Sequence, residues 1–246
     1  MALVSSKLKD RLAEALTITV SILLAFSIDA WWDGVQEVNL DRVHLASVLR
    51  ELETTSELLD DAIRLHAFTM ARAEAVLEMT STGELVGPAK DLDGLINDLF
   101  NSYQINAPTG ALRAATLSGT IARIQDQELK SLLLGWEGLI DDLLEEEVNG
   151  FENAATFTRW LGERASLHGP SSILDKNISG EKVDEQASHA LPPSRHTAGI
   201  ETLLDDMAFE NQILLLHANG QSSHDEAVAF QAILETAISK LGAIYD

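Results

Sequence analysis

Residues 12–32 read LAEALTITVSILLAFSIDAWW, and this stretch determines the architecture of the chain. It contains no charged residue between Ala15 and Ile28. A helix needs about 20 mainly apolar residues to cross ~30 Å of hydrocarbon. We therefore predict a single transmembrane helix over residues 12–32, with Trp31 and Trp32 as anchors at the membrane–water interface.

Two other interpretations of this stretch are open at the level of sequence. A signal-peptide core or a buried helix of a soluble protein has a similar apolar length, and Ala25 with Ser27 could form a cleavage site. The anchor is favoured because Glu14 and Asp29 lie near the two ends of the span. An acid there costs less than the roughly 2.5–3.5 kcal/mol expected at mid-membrane. The helical pattern also continues past Trp32 without a break.

Basic residues indicate the orientation of the span. Lys7, Lys9 and Arg11 precede it, whereas only Arg42 and Arg50 follow it closely. Cytoplasmic flanks carry the excess of lysine and arginine, so the N-terminus is predicted to be cytoplasmic. The bulk of the chain would then lie in the periplasm, outside a bacterial inner membrane.

One side of the span carries small residues. Thr17, Ser21 and Ala25 are four residues apart and therefore share a helix face. Small residues at this spacing let helices approach closely in lipid, which predicts lateral packing against another membrane helix. The alternative is that the hydroxyls bond only to their own backbone.

The chain is strongly acidic, with a formal net charge of −22, and it contains no cysteine. Such a charge repels nucleic acid and anionic lipid headgroups, which excludes nucleic acid as a partner class. It would attract a basic protein or divalent cations, or it simply keeps the domain soluble. The fold requires no disulfide.

Helical periodicity after the span predicts an all-α fold, an antiparallel bundle of four to five helices outside the membrane carried on one spanning helix. The predicted segments are a cytoplasmic N-terminus (1–11), the span (12–32), the first part of the bundle with a long stalk helix (33–167), an irregular loop rich in Gly, Pro and Ser (168–197) and a C-terminal helical part (198–246).

The stalk helix is expected from Asp33 to about Thr80. Its apolar residues alternate at three- and four-residue steps, typical of a coiled coil or long bundle helix. The predicted seam comprises Val38, Leu45, Leu49, Leu52, Leu59, Ile63, Met70 and Leu77.

Shorter helices are predicted at 91–103 and 110–117, the latter capped by Thr109 and followed by a Ser118-Gly119 turn. Asp126 is the predicted N-cap of a second long helix. The expected apolar stripe of that helix consists of Leu129, Leu132, Leu133, Trp136, Leu139, Ile140, Leu143, Leu144, Val148 and Phe151. In the final segment, Asn219-Gly220 either splits a hairpin or lies within a continuous helix.

Two segments resemble a known family. AEALTITVSILLAFSIDAWWDGVQ, followed by LASVLRELETTSELLDDAI, is similar to the opening of uncharacterised bacterial proteins that share a domain of unknown function. Glu14, Asp29, Trp31 and the Arg50-Glu51-Leu52 triplet carry this resemblance.

The second segment, TGALRAATLSGTIARIQDQELKSLL, resembles the mid-chain helix, Ser-Gly turn and following helix of the same family. The matching residues are Leu117, Ser118, Gly119, Ile124 and Leu129. The resemblance implies an N-terminally anchored helical protein and implies no activity.

The sequence offers no motif for catalysis or for a cofactor. No histidine pair has the spacing of a zinc site, and there is no P-loop, GxSxG or GxGxxG. The run from Glu145 to Gly150 copies the first half of a calcium loop, but Thr156 stands where a bidentate glutamate is needed. A solvated helix face, with weak cation binding as the alternative, is the expectation for this run, and Trp136, Phe151, Phe157 and Trp160 are expected in the core.

The resulting functional hypothesis is a non-enzymatic accessory subunit without cofactor or metal. It would brace a larger membrane complex (photosynthetic, respiratory or secretory) through its span and its acidic bundle. The expected partners are the lipid bilayer and other membrane subunits, in a hetero-complex or a homo-oligomer. The alternative is a membrane-tethered periplasmic sensor or ligand-binding helical module.

Overall fold

A computed structural model describes residues 2–100, 105–171, 194–196 and 198–244 of the chain. The helices are α1 (Ala2–Thr82), α2 (Ala89–Leu99), α3 (Gly110–Leu117), α4 (Thr120–Arg123), α5 (Gln127–Gly162), α6 (His168–Ser171), a 3₁₀ turn (Ile200–Leu203) and α7 (Met207–Gly242). No strand occurs within these ranges, and the predicted all-α fold, a long apolar N-terminal helix followed by a helical bundle, is confirmed.

The first helix, α1, is uninterrupted from the apolar stretch to Thr82. At 1.5 Å per residue it is about 120 Å long. Its part from Leu16 onward is long and apolar enough to cross a membrane, and none of its most apolar window is buried within the chain. A buried soluble helix would instead be covered by other parts of the protein.

Helix α7 runs antiparallel to both other long helices. On α1, Glu74 contacts His217, and Ser56 accepts a hydrogen bond from Gln231. On α5, the ring of Trp136 packs against Phe230 at 5.0 Å between centroids. Near the C-terminal end of α7, Lys240 pairs with Asp126 at the start of α5. Near the N-terminal end of α7, Phe209 packs on Phe157 in the later part of α5. Thus α1 and α5 run parallel, and α7 lies against both.

The bundle contains two hydrophobic cores. The proximal core, nearer the apolar end of α1, is formed by buried residues of α1, α3, α4, α5 and α7: Leu45, Val48, Leu52, Leu59, Ala62, Ile105, Leu112, Ala115, Ile121, Ile124, Leu129, Leu133, Trp136, Ile140, Leu143, Ala227, Phe230, Leu234, Ala237 and Leu241. The distal core consists of Ala73, Val76, Met79, Leu92, Ile96, Leu99, Phe157, Leu161, Ala165, Ile200, Leu203, Leu204, Phe209, Ile213 and Leu216.

The buried stripe of α1 agrees only in part with the predicted seam. Leu45, Leu52 and Leu59 are buried as expected, but Val48, Thr55 and Ala62 complete the stripe. Leu49, Ile63, Met70 and Leu77 of the predicted seam lie beside this buried stripe and are half-buried. The helix face that meets α3 and α7 is therefore centred slightly to one side of the predicted seam. Val38 is 54% exposed and belongs to no core.

The predicted stripe of α5 is confirmed as far as Leu144, which packs half-buried against the proximal core, and is wrong at Val148 and Phe151. Val148 and Phe151 are 46% and 60% exposed. The buried row instead passes through Glu147, Ala154 and Phe157. The apolar pattern drifts around the helix here, and contact with α7 decides which row is buried.

Helix ends also test the sequence predictions. Asp126 caps α5 by accepting hydrogen bonds from the N–H groups of Glu128 (2.9 Å) and Leu129 (3.1 Å), which confirms the prediction. Thr109 occupies the N-cap position of α3, but its side chain makes no capping hydrogen bond, so that prediction was wrong. The turn at Ser118-Gly119 is present, with Gly119 in the left-handed region at φ 77°.

The pair Asn219-Gly220 lies inside a continuous α7. A Cβ at Gly220 would lie 3.1 Å from Cγ of Met70, so this glycine permits close approach of α7 to α1 rather than a turn. Of the predicted 91–103 helix, α2 covers the part up to Leu99, and residues 101–104 lie outside the described ranges. Most of the predicted 168–197 loop also lies outside them.

Candidate functional site

The predicted packing face in the span is exposed on the isolated chain. Thr17, Ser21 and Ala25 are all exposed along α1, and Ser21 Oγ donates a hydrogen bond to the carbonyl of Thr17 at 2.8 Å. Trp31 and Trp32 are 64% and 54% exposed, with their ring centroids 6.3 Å apart. Packing of this face against another helix, and anchoring by the two tryptophans, stay predictions.

A polar junction joins the α3–α4 turn to α1 at residues 37–44, on the C-terminal side of the tryptophan pair. Arg123 donates to both oxygens of Asp41, from Nε to Oδ2 at 2.7 Å and from Nη2 to Oδ1 at 2.6 Å. Thr120 Oγ1 also donates to Asp41 Oδ1, at 2.7 Å. Hydrogen bonding by Arg123 holds the pKa of Asp41 below its ordinary value, and Thr120 adds to this effect. This fork-shaped pairing fixes orientation as well as distance.

The same junction includes His44 of α1. Its Nδ1 lies 3.0 Å from Thr120 Oγ1 and 3.1 Å from Ser118 Oγ. Arg123 Nη1 adds an ion pair to Glu37 at 3.0 Å. The hydroxyls of Ser118 and Thr120 both contact one imidazole nitrogen, so these contacts join the α3–α4 turn to α1.

Between the two cores lies a third set of side chains, which we call the polar layer: His66 and Thr69 of α1, Glu147 of α5, and Asn219 and Ser223 of α7. These residues line a partly open cavity of about 50 Å³ together with apolar neighbours. The polar layer interrupts the buried stripe of α1, which has no buried residue between Ala62 and Ala73. The layer therefore separates the proximal core from the distal core.

Glu147 is the most unusual residue of the polar layer. Its side chain is only 4% exposed, and its Oε2 accepts a hydrogen bond from the backbone N–H of Ile105 at 2.7 Å. Its Oε1 is buried and has no hydrogen-bond partner in the part of the chain that the structure describes. Burial raises the pKa of Glu147 to about 7, an effect that the bond from Ile105 only partly offsets.

The expectation that residues 145–147 form a solvated face is therefore wrong for Glu147. Glu145 is exposed and Glu146 half-buried, whereas Glu147 turns into the bundle. The calcium-loop interpretation also fails, because residues 145–156 lie within α5 and form no loop. Within the described ranges, no group of three or more histidines and acids is placed to hold a metal ion.

His66 faces Glu147 across the cavity from α1. Burial lowers the pKa of His66, and the neighbouring His224 on α7 lowers it further. A histidine whose pKa is lowered stays neutral at physiological pH, so His66 offers the cavity one hydrogen-bond donor and one acceptor. Outside the layer, the pKa of Glu226 is raised by burial and by the nearby acids Glu146, Asp142 and Glu145.

Sequence reasoning missed two of these features for a physical reason. Glu147 belongs to an acidic run, and nothing local distinguishes it from its solvated neighbours. The Asp41–Arg123 pair joins residues that are 82 positions apart. Two residues that the sequence analysis names do lie at contacts between α1 and α3–α4: Glu51 accepts hydrogen bonds from the start of α3, and Ser118 contacts His44.

Comparisons with known proteins give no identification. No family model, no curated protein and no solved structure matches this chain.

Proposed function

We propose that this chain is a non-enzymatic, single-pass membrane protein that acts as an accessory subunit. Its apolar helix would cross a bacterial inner membrane with the N-terminus in the cytoplasm, and its acidic bundle would brace partner subunits in the periplasm. The large apolar side chains from Leu16 to Ile28 support the membrane assignment, because they are between 49% and 67% exposed around α1. A helix satisfies its own backbone hydrogen bonds, so such a surface is stable in hydrocarbon.

The observation that carries the accessory role is the course of α1 after the tryptophans. Leu45 is the first buried residue among the described side chains of α1, so residues 33–44 form a section of about 18 Å outside both the predicted span and the core. Val38, Leu40 and Val43 in this section are 54–62% exposed. Large aliphatic side chains facing water beside a membrane favour a neighbouring helix that covers them.

The partner class follows from the position and charge of this section. It begins at the predicted membrane surface and continues the axis of the span in the same helix, so one membrane subunit could contact both. The net charge of −22 favours a partner surface with basic residues and disfavours nucleic acid. We therefore propose other membrane protein subunits as partners, in a hetero-complex or a homo-oligomer.

Purification of the full-length tagged protein from its native membrane in mild detergent, followed by native mass spectrometry, tests this proposal. Stoichiometric membrane subunits should co-purify with it. The triple substitution Val38→Ser, Leu40→Ser and Val43→Ser should release them. Val86→Ser with Leu134→Ser is the matched control, since both residues are exposed aliphatics elsewhere on the bundle.

Two outcomes would contradict the accessory role. The triple variant could keep every subunit that the control keeps, which would remove the proposed docking section. The protein could also emerge as a monomer carrying a small molecule, which would favour the membrane-tethered ligand-binding alternative.

A further inference from the structure

The two carboxylate oxygens of Glu147 have different surroundings. Oε2 accepts a hydrogen bond from Ile105 N–H at 2.7 Å, while Oε1 is buried without a partner among the described residues. A buried ionised carboxylate is costly unless both oxygens are hydrogen-bonded or paired with a charge. A protonated carboxyl removes this cost, since Oε1–H becomes a donor while Oε2 keeps its bond from Ile105.

The cavity beside Glu147 offers acceptors for such a donor. Thr69, Ser223, Asn219 and neutral His66 line it, and each has a side-chain oxygen or nitrogen that can accept a hydrogen bond from a cavity water. Its volume of about 50 Å³ also exceeds the roughly 10–15 Å³ that one water needs. The site can therefore hold a few waters as well as a proton.

We propose that Glu147 is a proton-responsive group of the bundle, held as a neutral carboxylic acid whose ionisation draws water into the cavity and loosens the polar layer between the two cores. On ionisation the O–H bond at Oε1 breaks, its electron pair stays on the carboxylate, and the proton passes through cavity water to solvent. This inference does not depend on the membrane role proposed above.

The charged and titratable groups around the cavity favour the neutral acid. From α1 the facing group is His66, and from α7 it is His224 behind His66. Of the residues that line the cavity, helix α2 contributes only Leu99. Glu226 of α7 lies outside the lining, near the acids Glu146, Asp142 and Glu145. No cation among these described neighbours compensates a charge on Glu147, whose pKa is governed by burial and by Ile105.

The first test compares unfolding of the full chain in detergent micelles for wild type, Glu147→Gln and Glu152→Gln. Glu152 is exposed on the same helix, so its variant controls for the loss of one negative charge. The folded state of wild type binds the extra proton between the ordinary pKa of 4.5 and the raised value of about 7, so its stability should fall as pH rises through this window.

Between about pH 5 and about pH 8, the unfolding constant of wild type should rise by roughly tenfold to a hundredfold relative to that of Glu147→Gln. Glu152→Gln should follow wild type. Contributions from the histidines cancel in this comparison because all three proteins contain them. Parallel profiles for wild type and Glu147→Gln would overturn the proposal.

The second test measures the proton and the water directly. The infrared difference spectrum of wild type minus Glu147→Gln should contain the carbonyl stretch of a protonated carboxyl below neutral pH, and this band should vanish on alkalinisation. Subtraction removes the bands of other carboxyls with a raised pKa, such as Glu226. Hydrogen exchange of the Ile105 amide, after correction for intrinsic rates, should accelerate over the same pH range in wild type only. A difference spectrum without this band, or exchange that is unchanged across this range, would refute the switch.

Discussion

The carboxylate of Glu51 accepts a hydrogen bond from the backbone N–H of Ala111 at 2.6 Å, although the two residues are 60 positions apart. Its second oxygen accepts from Leu112 N–H at 3.0 Å. A side chain of α1 thus caps α3, the role that the local sequence assigned to Thr109. Its negative charge also suits the positive end of the α3 dipole.

Replacing this cap should destabilise the proximal core. Glu51→Ala is expected to lower the free energy of unfolding by about 1–2 kcal/mol, the usual cost of losing a helix cap. Urea unfolding followed by circular dichroism measures this change. Glu53→Ala, on an exposed position of the same helix, should change stability by less than about 0.5 kcal/mol. Equal effects of the two variants would show that the cap is unimportant.

The stabilising effect of the Asp41–Arg123 pair should depend on the two guanidinium nitrogens that donate to the two carboxylate oxygens. Arg123→Lys keeps the charge but cannot donate to both oxygens in the same geometry, so hydrogen exchange at the Ser118–Thr120 turn should accelerate. Arg113→Lys is the control, because Arg113 has a single 3.3 Å contact with Glu137.

Acid should remove this difference. The pKa of Asp41 is lowered on folding, so the pair stabilises the protein above the ordinary value of 3.8 and the stabilisation is lost as pH falls through the folded value. Wild type and Arg123→Lys should therefore exchange alike at the turn once Asp41 is protonated. A difference that persists in acid would mean that the ion pair is not its cause.

Truncation of two aromatic residues of α5 should change the stability of the protein to very different extents. Trp136 is fully buried against Phe230, so Trp136→Ala should cost about 3–5 kcal/mol. Phe151, although predicted to be in the core, is 60% exposed, and Phe151→Ala should cost less than about 0.5 kcal/mol. Denaturant titration of both variants checks the pair, and a large loss for Phe151→Ala would contradict its exposed position.

Glycine substitutions should separate backbone strain from helix propensity. Gly119 has φ 77°, and a Cβ there would also lie 3.2 Å from Arg123 Nη1, so Gly119→Ala should destabilise by about 1–2 kcal/mol. Gly138 lies within α5 with open space around it, so Gly138→Ala should stabilise by about 0.5–1 kcal/mol. Thermal unfolding of both variants should give shifts of opposite sign.

Lateral association of the span can be tested on its small-residue face. Ser21→Leu with Ala25→Leu should weaken co-purification of membrane partners, because bulky side chains keep helix backbones apart. Thr19→Leu, on the other side of α1, should leave association unchanged. Unchanged association in the double variant, as judged by native mass spectrometry, would remove this face from the proposed interface.

The sequence alone determined the features that depend on nearest neighbours along the chain. The 3.6-residue periodicity predicted the all-α class, the apolar run from Ala15 to Ile28 predicted a helix suited to cross a membrane, and Asp126 predicted the start of α5. Backbone hydrogen bonding within a helix, side-chain polarity and a cap from an adjacent residue such as Asp126 act over only a few residues, so one local stretch contains all the information they require.

Only the tertiary structure decided which side of each helix is buried and which distant groups meet. On α5, packing buries Glu147 and leaves Phe151 in solvent, although residue type alone predicts the reverse. The Glu51 cap and the polar layer require helices from distant parts of the chain to come together first. Their energies depend on desolvation and close geometry, which no short stretch of sequence specifies.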